Sequence, residues 1–131
     1  MSAAVAAYKH EQLVRVMAVI VRAALKHSLV SPNDVAEDIV EPQDRQGVVS
    51  NAWNALVALE IVERADLRFT NPDLDIYGGR TQRTSHGAKG RWVGVYFLKS
   101  RERALTWARA NGVRIEDARD GGARQTDLTL N

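Results

Sequence analysis

The chain has 131 residues, 45% of them apolar and 26% charged, which suits one compact domain and argues against disorder along its whole length. It contains no cysteine, so disulfide frameworks, thiolate zinc sites and cysteine nucleophiles are excluded. The net charge of +2 is unevenly spread: residues 79–103 hold Arg80, Arg83, Lys89, Arg91, Lys99, Arg101 and Arg103 against Glu102 alone, while residues 1–44 and 45–78 each stand at −2 and residues 104–131 are neutral.

Tyr8 to Ser28 has no Gly or Pro and reads as a long helix. Leu13, Val16, Met17, Ile20 and Ala24 recur on one face, and Val14, Ala18, Val21 and Leu25 form a second apolar row. Glu11, Arg15, Arg22 and Lys26 leave only a narrow wet stripe, so this helix needs cover on two sides. The second row points to a homodimer through this helix, with burial inside the domain as the alternative.

Ser31-Pro32-Asn33-Asp34 is a helix start, with a capping hydroxyl, a proline at the first helical position and an acid near the positive dipole end. The helix is expected to run to about Val40, with Val35, Ala36, Ile39 and Val40 inward, before Pro42 interrupts it. After a polar connection through Gly47, a third helix spans Val48 to about Leu59. Val49, Ala52, Trp53, Leu56 and Leu59 line its inner face, and Gln46, Ser50, Asn51 and Asn54 the outer one.

Leu67-Arg68-Phe69-Thr70 alternates like a strand, and Asn71 to Gly90 reads as a long polar loop in which Tyr77-Gly78-Gly79-Arg80 is only loop chemistry. Arg91 to Leu98 returns as a strand, with Val93, Val95 and Phe97 on one face and Trp92, Tyr96 and Leu98 on the other. Ser100 caps a last helix through Asn111, and Gly112 closes it in a left-handed conformation. Ala104, Leu105, Trp107 and Ala108 supply its apolar contacts. The expected division is one domain over residues 1–112 and a loose tail over 113–131.

The order of helices, strands and basic loop resembles the winged helix-turn-helix family over roughly residues 10–110. The residues that carry the likeness are Val48-Val49-Ser50-Asn51-Ala52-Trp53-Asn54-Ala55-Leu56-Val57-Ala58-Leu59-Glu60-Ile61-Val62-Glu63-Arg64 and Ser85-His86-Gly87-Ala88-Lys89-Gly90-Arg91-Trp92-Val93-Gly94-Val95-Tyr96. Glu60 departs from the pattern, standing where such proteins often have a turn glycine. The combination looks most like small winged-helix proteins of bacteriophages and prophages. The resemblance implies an α+β, mainly α, fold: a three-helix core, a two- to three-stranded β-wing and a C-terminal helix. The start Met1-Ser2-Ala3-Ala4-Val5 lacks the basic region and apolar core of a signal peptide, and the most apolar stretch, Val16 to Val21, is too short to span a bilayer, so a soluble cytoplasmic protein is expected, in a bacterial host if phage-encoded.

The residues suit that reading. A helix fits the major groove of DNA, where Asn and Gln match the adenine edge and Ser serves any base. Gln46, Ser50 and Asn54 are spaced one turn apart, with Asn51 beside them, on a recognition helix of about 46–59. Arg80, Arg83, His86, Lys89 and Arg91, on a basic wing of about 71–91, would reach phosphates or the adjacent minor groove. A concentration of positive charge beside such a helix favours an anionic partner. The expected function is therefore sequence-reading binding of double-stranded DNA, in a phage or prophage transcription regulator or an accessory factor for replication or recombination. The alternative is a winged-helix adaptor that binds protein.

Trp53 and Trp107 sit among apolar residues at helical spacing and read as core. Trp92 follows the basic loop directly, where a half-buried strand position and a base-stacking role compete. No catalytic or metal site is expected. His10, His27 and His86 are isolated, the acidic face Asp34, Glu37, Asp38 and Glu41 reads as solvated, and Asp73 and Asp75 lack the following Glu-x-Lys of a nuclease. No phosphate-binding glycine motif or cofactor signature is present.

Overall fold

The computed structural model describes residues 3–39, 45–84 and 89–115. It is α+β, with four helices and two small antiparallel sheets among those residues. Helix α1 spans Ala3–His27, starting earlier than the apolar periodicity indicated. Most of both apolar rows is covered by the chain itself: Val16, Met17, Ile20 and Ala24 are buried, and so are Ala18, Val21 and Leu25, while Leu13 and Val14 are half-buried. The three later helices and the edge of the first sheet supply that cover. The second row therefore gives no reason for a homodimer. Helix α1 ends where Ser28 turns left-handed (φ 64°) and its amide donates to the Ala24 carbonyl at 2.8 Å.

Strand β1 (Leu29–Val30) leads into α2 (Pro32–Val35). The Asp34 carboxylate accepts from the Ser31 amide at 2.8 Å, so an acid at the third helical position closes back on the cap residue. After one turn the helix tightens into a 3-10 turn, Ala36–Asp38, and Ile39 is already extended. The expected helix to Val40 is thus shorter. Val35 and Ile39 are buried, whereas Ala36, expected inward, is exposed where the α-helical spacing ends. Val40 itself, with residues 41–44, lies outside the described residues.

Helix α3 (Arg45–Ala58) buries Ala52, Trp53 and Leu56. It closes with paired bonds, the Glu60 amide to the Val57 carbonyl and the Ile61 amide to the Leu56 carbonyl, both 3.0 Å. That pattern demands a left-handed residue at position 60, and Glu60 adopts it at φ 61°. The reversal tucks Ile61 against Leu56 and turns Leu59 outward, 44% exposed, contrary to its expected inner position.

Strand β2 (Val62–Arg64) pairs with the last strand, β6 (Tyr96–Leu98), in the register Val62↔Leu98 and Arg64↔Tyr96. β1 flanks β6 on its other side, giving the order β1-β6-β2. The strand expected at Leu67–Thr70 is a turn instead. The Asp66 carboxylate accepts the Arg68 amide at 2.8 Å and the Phe69 amide bonds the Asp66 carbonyl, a local closure that outcompetes a ladder. The Arg68 guanidinium also bonds that carboxylate and, with the amide, holds Asp66 below the usual carboxylate range.

The expected loop from Asn71 to Gly90 instead supplies two strands and the start of a third to a second sheet, in the order β3 (Ile76–Tyr77), β4 (Arg80–Arg83) and β5 (Lys89–Gly94). Gly78 and Gly79 both have positive φ, 60° and 75°, and join β3 to β4 as the two central residues of a tight hairpin turn. Gly79 is also packed against backbone: a β-carbon there would stand 2.7 Å from the Asp66 carbonyl oxygen. The expected strand over residues 91–98 is broken at Val95, whose amide donates to Gly79 and whose carbonyl accepts from Ala65. One residue therefore bonds both sheets.

Two cores result. The larger lies among α1, α2, α3, the last helix and the inner face of the first sheet, and the smaller gathers Ala65, Ile76 and Val95 with Phe69, Leu74 and Phe97. Helix α4 (Arg101–Ala110) starts with the Ser100 hydroxyl accepting the Arg103 amide and ends on left-handed Gly112. The chain then turns back over α1: the Arg114 carbonyl accepts the Arg22 guanidinium at 3.1 Å, and Ile115 packs on the larger core. The remainder of the expected tail, 116–131, lies outside the described residues. No described helix is long and apolar enough to cross a membrane.

Candidate nucleic-acid interface

Helix α3 is held by its inner face. Trp53 is 4% exposed and stacks on the Tyr96 ring of β6, with ring centres 4.3 Å apart and planes inclined by 26°. With Ala52, Trp53 and Leu56 anchored, helical geometry turns Ser50, Asn51 and Asn54 outward, and all three are exposed. None of their side chains is engaged in a hydrogen bond among the described residues, so their donors and acceptors remain available. The side chain of Gln46 and the whole of His86, both expected in the site, lie outside the described residues.

From Tyr96 the contacts continue toward the second sheet. The Arg64 guanidinium lies 5.8 Å from the Tyr96 ring centre, a cation–π arrangement, and covers Gly94 so closely that a β-carbon there would run into it. Gly94 is the cross-strand partner of Arg80, and Arg80 is in turn the partner of Tyr77. Trp92, two residues before Gly94 on β5, shares their face by strand alternation. Its ring meets that of Tyr77 edge to face at 6.3 Å. Arg64, Tyr77, Arg80 and Trp92 thus surround Gly94 on one exposed face. Gly94 is the floor that lets the guanidinium lie flat.

The cations expected to act together are divided. Arg83 lies beyond an irregularity in the β4–β5 ladder and lines a groove with Arg22, Lys26 and His27 of α1 and the acids Asp34, Glu37 and Asp38. Arg80 stands with the aromatic face instead. Lys89 is the cross-strand partner of Arg83. Arg91 is exposed, and its carbonyl accepts the Asn33 side chain of α2 at 2.8 Å, which pins β5 to the helical body. None of Arg80, Arg83, Lys89 and Arg91 forms an ion pair among the described residues.

The excess charge of residues 79–103 does not belong to one loop. Lys99 pairs with Glu60 at 3.3 Å beyond β6, and Arg101 reaches back to the Leu25 carbonyl at the end of α1. The hairpin keeps four of the seven cations.

Arg64 and Tyr77 were not among the expected site residues. Arg64 belongs to a Glu-Arg pair that reads as ordinary surface, and only the register of β2 against β6 brings it over Gly94. Tyr77 had a usable signal, because Gly-Gly between a β-former and a polar strand predicts a hairpin that places residues 77 and 80 opposite each other.

No family model matches the chain, and no curated protein or solved structure matches it either.

Proposed function

We propose that this chain is a winged helix-turn-helix protein that binds double-stranded DNA, with α3 entering the major groove and the β2–β6 hairpin, which carries the second sheet, serving as the wing. The observation that carries the reading is one of layout. A helix with an unspent Ser50-Asn51-Asn54 face leads directly into β2, and the excursion between β2 and β6 carries four cations with no carboxylate partner among the described residues. The strand order β1-β6-β2, with β1 lying between α1 and α2, supports the same assignment. Unpaired Arg and Lys on a hairpin are suited to phosphate oxygens, and short amide side chains on a helix to base edges.

The test is duplex binding followed by fluorescence anisotropy across a salt series. Each phosphate contact contributes about −0.9 to the slope of log affinity against log salt. Arg80→Ala combined with Lys89→Ala weakens binding to every sequence and flattens the slope by up to about two. Asn54→Ala leaves the slope in place and costs roughly 1–3 kcal/mol at a preferred base. Absence of duplex binding at low salt overturns the proposal in favour of a protein-binding adaptor. Asn54→Ala behaving as wild type on every sequence overturns the role of α3.

A further inference from the structure

We propose that the outer face of the second sheet is a stacking site for an unpaired nucleobase, formed by Trp92 and Tyr77 and flanked by the guanidiniums of Arg64 and Arg80. This deepens the nucleic-acid reading above and rests on it. The starting observation is where apolar surface is left uncovered. Among the described residues the large exposed hydrophobics are Val57 and Leu59 at the end of α3, and Leu67, Tyr77 and Trp92 on the excursion between β2 and β6. Trp92 is 49% exposed and Tyr77 45%, although each has the other as an edge-to-face neighbour. A tight pair of that kind makes a corner: a planar ring laid on one member meets the edge of the other.

The charge around the corner selects the occupant. Arg80 is cross-strand from Tyr77, and Arg64 is fixed over Gly94, two residues along from Trp92. The acids nearest in sequence to these residues are Glu63, Asp66 and Asp75. Asp66 is engaged by Arg68, and neither Glu63 nor Asp75 pairs with Arg64 or Arg80. An aromatic corner between two guanidiniums that have no carboxylate partner among the described residues has the composition that single-stranded nucleic acid uses, with bases on the rings and phosphates on the cations. An apolar protein segment would gain nothing from those charges. Paired bases keep their faces buried in the duplex stack, so the site takes a base from a single strand, an overhang or a frayed end.

The experiment compares the full chain with Trp92→Leu and Trp92→Phe on three labelled DNAs: a single strand, a blunt duplex of equal length, and that duplex with a single-stranded overhang. Stacking is sequence-tolerant and worth roughly 5- to 150-fold in affinity per base. Trp92→Leu is expected to lose that factor on the single strand and the overhang, to stay within about twofold on the blunt duplex, and to recover in Trp92→Phe. Trp emission of the wild-type chain should be quenched by the single strand, a reading that needs no variant to fold. Equal affinities of wild type and Trp92→Leu on the single strand, with duplex binding intact, overturn the stacking site and leave the duplex reading standing. Failure of the wild-type chain to bind any of the three overturns both. A mass that doubles in wild type and not in Trp92→Leu overturns the site in favour of self-association through this face.

Discussion

Arg83 and Lys89 face each other directly across the β4–β5 ladder, both exposed. Like charges at a cross-strand pair destabilise it, by about 0.2–1 kcal/mol. Lys89→Thr removes the repulsion and supplies a β-branched residue. It should raise stability at low salt, with the gain shrinking as salt screens the pair, and, under the proposed DNA-binding function, should lower the salt slope of binding by about one. Denaturation and binding at two ionic strengths measure both effects, which point in opposite directions.

Glu60 and Gly112 occupy the same position in the same helix-ending motif, one on α3 and one on α4. Glycine carries no steric penalty there and glutamate does. Glu60→Gly is expected to stabilise the fold by about 0.5–1 kcal/mol, reduced by whatever the exposed pair with Lys99 contributes. Gly112→Ala should cost about 1 kcal/mol. Thermal denaturation of the two variants reads opposite signs.

Gly79→Ala is expected to be more damaging than Gly112→Ala. A β-carbon at residue 112 meets open space, whereas at residue 79 it meets backbone oxygens that no side-chain rotation can move. A loss above about 2 kcal/mol in chemical denaturation follows, combining left-handed strain with displacement of the Asp66 turn.

Leu25 tests the cover of α1. It belongs to the second apolar row and is 7% exposed within one chain. Leu25→Ala should cost about 2–5 kcal/mol, and the unfolding midpoint of both variant and wild type should be independent of protein concentration. A midpoint that rises with concentration would show that a second copy shares the burial.

The helices were legible because their signals are local. Ser31-Pro32, Ser100 and Gly112 mark ends by chemistry that needs no distant partner, and the inner set Ala52, Trp53 and Leu56 follows from spacing alone. The outward placement of Ser50, Asn51 and Asn54 came with it. The hairpin was less legible. Leu67 to Thr70 alternates as a strand does, yet the Asp66 carboxylate captures the chain first. The cations were counted correctly and grouped wrongly. Sequence proximity joined Arg80 to Arg83, whereas side chains three apart on one strand face opposite sides, which leaves one at the aromatic face and the other in the groove beside α1. Arg64, distant in sequence from Gly94, could be assigned only through strand pairing.

Val95 bonds Ala65 in one direction and Gly79 in the other, so the excursion over residues 66–94 leaves and rejoins the body beside the Arg64–Tyr96 rung. Its length is decoupled from the register that sets Tyr96 against Arg64 and Trp53. Segments of other sizes could be exchanged at these junctions without disturbing the helical body. The excursion is thus the interchangeable part of the molecule, able to change in size while the scaffold stays fixed.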